Sequence, residues 1–131
     1  MNVNTAQQEI KDYALNLVSA GSNYRVDELK NIYTKDFSIV MLLPDGSIQS
    51  MDYETTIGMF AQRKESGVPT LSEEASINHI DVFDDKAYVI LTRNMDFLGA
   101  GKEQNIIFHL MLTKSVDGKW QIYREHATLS M

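Results

Sequence analysis

The sequence predicts an α+β fold in which helices come first and a curved antiparallel sheet follows. Apolar residues recur at helical spacing in two stretches before residue 34 and in a third after residue 52. From about residue 72 the chain alternates with period two in four segments. Asp84-Asp85 and Asp117-Gly118 separate those segments as hairpin turns, the second a strong two-residue signal.

The first helix is expected over Thr5–Ala20, with Ile10, Tyr13, Ala14, Leu17 and Val18 on one stripe. Thr5 and Gln8 have capping-box spacing, and Gly21 supplies a stop. A shorter helix spans about Tyr24–Tyr33, with Val26, Leu29 and Tyr33 on one side. Phe37–Leu43 reads as a strand, Pro44-Asp45-Gly46 as a turn, and Ser47–Met51 as a short return strand. Asp52 then caps a third helix that runs through Lys64 and buries Tyr53, Ile57, Phe60 and Ala61. Gly67 and Pro69 end it. The meander strands are expected at about 72–83, 86–97, 104–115 and 119–129, joined in the middle by Gly99-Ala100-Gly101.

One domain, residues 1–131, accommodates all of this. The hydrophobic fraction of 44% and charged fraction of 23% are those of an ordinary globular chain. No apolar run is long enough to span a membrane, and the polar start argues against a signal peptide. There is no cysteine, which excludes disulfides, thiolate catalysis and cysteine zinc sites, and fits a cytoplasmic location. A net charge of −6 without a basic cluster speaks against nucleic acid as a partner. Gly99-Ala100-Gly101 is too short for a phosphate loop, so no cofactor is expected.

Pairing arithmetic at the two turns predicts which side chains meet. A two-residue turn at Asp84-Asp85 places Ile80, Val82, Ala87, Val89 and Leu91 on one face, continued by Arg93 and Met95. His79, Asp81, Tyr88 and Thr92 fall on the other. A two-residue turn at Asp117-Gly118 sets His109 opposite His126, Met111 opposite Arg124, Thr113 opposite Ile122 and Ile107 opposite Thr128. The reverse face carries Ile106, Phe108, Leu110, Leu112, Tyr123, Ala127 and Leu129, and is the greasier of the two.

Three motifs resemble the nuclear transport factor 2-like superfamily. They are Tyr33-Thr34-Lys35-Asp36-Phe37 at the first strand, Ala87-Tyr88-Val89 after an acidic turn, and Asp117-Gly118-Lys119-Trp120-Gln121-Ile122 followed by His126-Ala127-Thr128. The ending is similar to that of SnoaL-like polyketide cyclases and of the association domain of calcium/calmodulin-dependent protein kinase II. The resemblance implies a cystatin-like cone: a sheet curled round three N-terminal helices with a pocket between them. It also implies that the Trp120, Ile122, Arg124 and His126 face turns inward. The greasy face would then be outside, where Phe108, Leu110, Leu112 and Tyr123 would pair two copies as a homodimer.

On that reading the pocket binds a small organic molecule with an anionic or acceptor group. Tyr33, Phe60, Arg93, Met111, Trp120 and Arg124 would be its binding residues. The alternative is a SnoaL-like isomerase, cyclase or dehydratase using His126 or His109 for proton transfer. A third reading is an assembly module. Each histidine also has a plain structural reading, bonded to a hydroxyl or a carbonyl. No carboxylate shares the predicted histidine face, so no metal is expected. The carboxylate that ketosteroid isomerases carry on the first strand has no counterpart in Ile39–Leu42. Asp36 and Asp96 are the nearest substitutes for a cyclase acid.

Overall fold

A computed structural model describes residues 3–131. α1 (Val3–Ser22) and α2 (Val26–Ile32) lead into β1 (Tyr33–Leu42) and β2 (Ile48–Asp52). α3 (Tyr53–Glu65) follows, then β3 (Ser76–Phe83), β4 (Lys86–Met95), β5 (Gln104–Lys114) and β6 (Trp120–Ser130). The strands form one sheet in the order β2-β1-β6-β5-β4-β3, open at both edges. All neighbours are antiparallel except β1 and β6, which run parallel. The expected all-antiparallel sheet is therefore mixed. Hairpin turns dictate the other pairings, but β1 meets β6 from opposite ends of the chain, where no turn signals direction.

The helices follow their patterns with shifted ends. α1 starts ahead of Thr5, so the expected capping box lies inside it, and it runs past Gly21 to Ser22. What turns the chain is Tyr24, held at φ 54°, with its hydroxyl donating to the Pro69 carbonyl at 2.9 Å. Asp52 caps α3 as expected, its carboxylate accepting from the Thr55 N–H at 2.8 Å. Ile10, Ala14, Leu17 and Val18 of α1, Leu29 and Ile32 of α2, and Ile57 and Phe60 of α3 are buried against the sheet.

The β3–β4 hairpin obeys the arithmetic from its turn to His79, with Val82 opposite Ala87, Asp81 opposite Tyr88 and Ile80 opposite Val89; a bulge then sets Ile77 opposite Leu91. Ala87, Val89, Leu91, Arg93 and Met95 are all buried on the inner face.

The β5–β6 hairpin departs from it twice. Its turn is the longer loop 115–119, closed by hydrogen bonds from Ser115 N–H to the Lys119 carbonyl (2.8 Å) and from Gly118 N–H to the Ser115 carbonyl (2.9 Å). Gly118 sits there at φ 87°, where a side chain would be strained. A β-bulge then intervenes: Met111 opposes Arg124, but Leu112 opposes Ile122, leaving Tyr123 unpaired. Thr113 consequently faces Gln121, not Ile122.

The bulge switches the face of β6. Trp120 and Ile122 point inward before it; Glu125, Ala127 and Leu129 point inward after it. The inward Trp120–His126 face is thus corrected for its second half: Arg124 and His126 stand on the outer side, as do His109 and Met111 on β5. The dimer face is corrected too. Leu110 and Leu112 are buried in the cone, Phe108 lines its cavity, and Tyr123 is the half-buried bulge residue. The physical reason is burial: each large apolar side chain turned in contributes about 1.5–3 kcal/mol, and the bulge lets both halves of β6 turn their apolar residues in.

Candidate functional site

The sheet's concave face and the helices enclose a narrow cavity of about 70 Å³ that opens at one mouth. Leu17, Val18 and Gly21 of α1 and Thr56, Met59 and Phe60 of α3 form one wall. Tyr33, Phe37, Ile39 and Met41 of β1, with Leu91, Arg93, Ile106, Phe108, Leu110, Glu125, Ala127 and Leu129, form the other. The lining is almost entirely aliphatic and aromatic, so its few polar groups decide its chemistry.

Four buried side-chain polar atoms among the described residues have no hydrogen-bond partner: Thr56 Oγ1, Arg93 Nε, Glu125 Oε2 and Trp120 Nε1. The first three belong to residues that line this cavity. Such atoms are rare in folded chains because each forfeits its hydration, and here they gather around one space.

Glu125 is the most perturbed of them. Burial pushes its carboxyl up from 4.5 to about 8, while hydrogen bonding from Tyr33 pulls weakly the other way. At neutral pH most of it is therefore the protonated acid, able to donate one hydrogen bond. The Tyr33 phenol is raised well above its ordinary value, first by burial and then by Glu125. Tyr33 also stacks on Phe37, ring centroids 4.1 Å apart.

Arg93 points inward as expected, but its terminal nitrogen is engaged. Nη2 donates to Ser22 Oγ at 2.7 Å and to the Ser72 carbonyl. Burial lowers its pKa, and Glu73 partly restores it. Phe60 lines the cavity and tilts against Tyr24, centroids 6.5 Å apart. Trp120 is buried but belongs to a separate surface recess with Tyr13, Ile32 and Gly118.

The structure therefore brings Tyr33, Phe60 and Arg93 to one cavity. It places His109, Met111, Arg124 and His126 on the opposite side of the sheet. There His109 Nδ1 shares a hydrogen bond with the Tyr88 hydroxyl, and Arg124 Nε donates to His126 Nε2 at 3.2 Å. Asp96 is committed to its loop, accepting from Ala100 N–H and Gly101 N–H at 2.8 Å and from Gln104 Nε2 at 2.9 Å. Asp36 is exposed and accepts from Thr34 at 2.6 Å. Neither supplies a cavity acid. Sequence reasoning missed Glu125, which pairing arithmetic without the bulge turns outward. The signal was the apolar column Ala127 and Leu129, two and four residues on. No group of three or more histidine or carboxylate side chains among the described residues could hold a metal. No helix among them is long and apolar enough to cross a membrane.

The curved sheet, open at its edges and packed on three helices, superposes on solved structures along nearly its whole length. One is an NTF-2 like protein of unknown function from Silicibacter pomeroyi, at TM-score 0.77 and 16% identity, covering 98% of this chain and 99% of that one. The fold is that of the NTF2-like proteins. A putative dehydratase from the NTF2-like family of Streptomyces avermitilis superposes at TM-score 0.72 with 15% identity over 99% of both chains. A ketosteroid isomerase-like protein from Erwinia carotovora atroseptica does so at 0.64 with 17% identity, over 94% of this chain and 95% of that one. No family model and no curated protein matches the sequence. On this NTF2-like scaffold Glu125 sits on the last strand and faces the cone.

Proposed function

We propose that the cone cavity binds a small, mostly apolar organic molecule through one acceptor group, which accepts a hydrogen bond from the protonated Glu125 carboxyl. The observation that carries this is the gathering of Thr56 Oγ1, Arg93 Nε and Glu125 Oε2, all buried and unpartnered, in an otherwise apolar lining. A neutral acceptor suits the site better than an anion, because an anion would meet the buried Glu125 carboxyl, which is neutral only while it keeps its proton. A ligand acceptor offsets the cost of the buried carboxyl only if it meets that group, so specificity resides in one contact. The test compares monocyclic ketones, lactones and phenols with hydrocarbons of the same shape. Acceptor-bearing compounds should raise the melting temperature of the wild type and lose at least tenfold in affinity with Glu125→Leu. Equal binding of both compound sets to both proteins would sink the reading.

A second reading is favoured by one observation, the Glu125 carboxyl at about 8. A group that titrates near neutrality is suited to proton transfer. Glu125, and not His126 or His109, would then be the acid or base of an isomerase, cyclase or dehydratase, the activities that the names of two fold neighbours suggest. Turnover of any substrate found by the binding screen should fall at least a hundredfold with Glu125→Gln, while that substrate still binds. An unchanged rate would remove the enzyme. The open cavity weighs against a pure assembly module.

A further inference from the structure

The outer face of the sheet carries a cluster that the cavity does not use. All three histidines of the chain lie in one row across it. From β1 the row reads Val40, His126, His109, Ile90 and His79, each opposite the next. The adjacent row reads Ser38, Arg124, Met111, Tyr88 and Asp81.

His79 has a counter-charge, since Nε2 lies 2.9 Å from Asp81. The other basic groups have none. Arg124 spends Nε on His126 and Nη1 on Ser38 Oγ (2.9 Å), both neutral acceptors, and no ion pair among the described residues includes Arg124, His109 or His126. The charges felt by His126 come only from Arg124 and His109, and with burial ahead of them both push its pKa down.

No carboxylate forms an ion pair with the group: Asp36, two residues before Ser38 on the same side of β1, is exposed and accepts from the Thr34 hydroxyl. On β5 the neighbours are Met111, Thr113 and Ile107; on β4 they are Tyr88, Ile90, Thr92 and Lys86. Asp81 is on β3, three strands from β6 and so roughly 14 Å away, and is already paired. Asp52, opposite Ser38 on β2, is committed to the N-terminus of α3. What sets the group apart in a chain of net charge −6 is that one guanidinium and two imidazoles adjoin one another on neighbouring rows of one face.

We propose that this group is a binding site for a phosphate-type oxyanion. Directly opposed residues stand about 5 Å apart and same-face neighbours along a strand about 7 Å, so Arg124, His126 and His109 can converge on one tetrahedral anion. Ser38 and Tyr88 hold Arg124 and His109 from either side and supply two more hydroxyls. The anion would relieve the mutual repulsion of the cluster and favour the charged imidazoles. The site is independent of the cone cavity, which lies across the sheet.

The test is a titration with inorganic phosphate at about pH 6.5, near the imidazole midpoint. Ionic strength is held constant with sodium chloride, and the three histidine ring signals are followed by NMR. His126 and His109 should shift and saturate while His79 moves little, and the His126 pKa should rise. Arg124→Ala should weaken the response at least tenfold. That side chain is half-buried at the surface, and the amide spectrum checks the fold; if it does not hold, the exposed His126→Gln replaces it. Shifts that never saturate, that His79 shares equally, or that the variant retains would overturn the site.

Discussion

The two hairpins of the sheet turn by different means and deliver different surfaces. β3–β4 closes over Asp84 and Asp85, with Asp84 at φ 55°, and keeps one face apolar from Val82 and Ala87 through Leu91. β5–β6 closes over the longer loop 115–119 and carries the bulge at Tyr123. In the first, β4 keeps one inner and one outer set of side chains throughout, and β3 shifts only near its start, at the bulge between Ile77 and His79. In the second, β6 changes sets midway: Trp120 and Ile122 turn in, then Glu125, Ala127 and Leu129. A single unpaired residue therefore sends a carboxylate into the cone and an imidazole, one position later, to the outer face. The bulge is the device that separates the two candidate sites.

Removing that device gives the largest expected effect. Deleting Tyr123 restores strict alternation across β6, so Trp120 and Ile122 can no longer face inward together with Glu125, Ala127 and Leu129. Exposing those two side chains costs about 3–6 kcal/mol, comparable with the whole stability of a domain this size. A circular dichroism melt should show loss of the cooperative transition. A deletion variant that melts as the wild type does would mean that the bulge does not set the face.

Glu125 probes the inner product of the bulge. Its folded pKa, about 8, lies above the ordinary 4.5, so the folded state holds a proton that the unfolded chain releases. The wild type should lose stability as pH rises from about 4.5 to about 8, by roughly 3 kcal/mol at pH 7. Glu125→Gln cannot titrate, and its stability relative to the wild type should grow through that window and level off above it. Urea melts at intervals of pH measure the difference; parallel curves would place Glu125 in contact with water.

The turns themselves give the smallest effects. Gly118→Ala forces a side chain to φ 87° and should cost about 1 kcal/mol. Asp84→Gly relieves a left-handed Asp and should change stability by only a few tenths of a kcal/mol. Thermal melts of the two variants rank the turns. Equal losses would show that both depend alike on their loop conformation.

Much of this architecture was legible in the residues. Helical stripes located α1 to α3, and the Asp52 cap held. Turn residues placed β3 and β4 in register, and the pairs His109–His126, Met111–Arg124 and Ile107–Thr128 are those the arithmetic predicts. Tyr33, Phe60 and Arg93 were expected at the cavity and line it. The inward assignment of His126, Arg124, His109 and Met111 failed for one reason. Partners across a hairpin can be counted from its turn, but which side of both strands faces the core cannot. The apolar set Ile106, Phe108, Leu110 and Leu112 was the better guide, because burial of that area outweighs any motif.

Local periodicity and turn chemistry are enough to set the elements, their order, the hairpin partners and the α+β class. The parallel meeting of β1 with β6 and the bulge at Tyr123, and hence the burial of Glu125 and the exposure of His126, come from long-range packing. Those depend on which face the helices cover, a choice made by the total apolar area buried and not by any short stretch of chain.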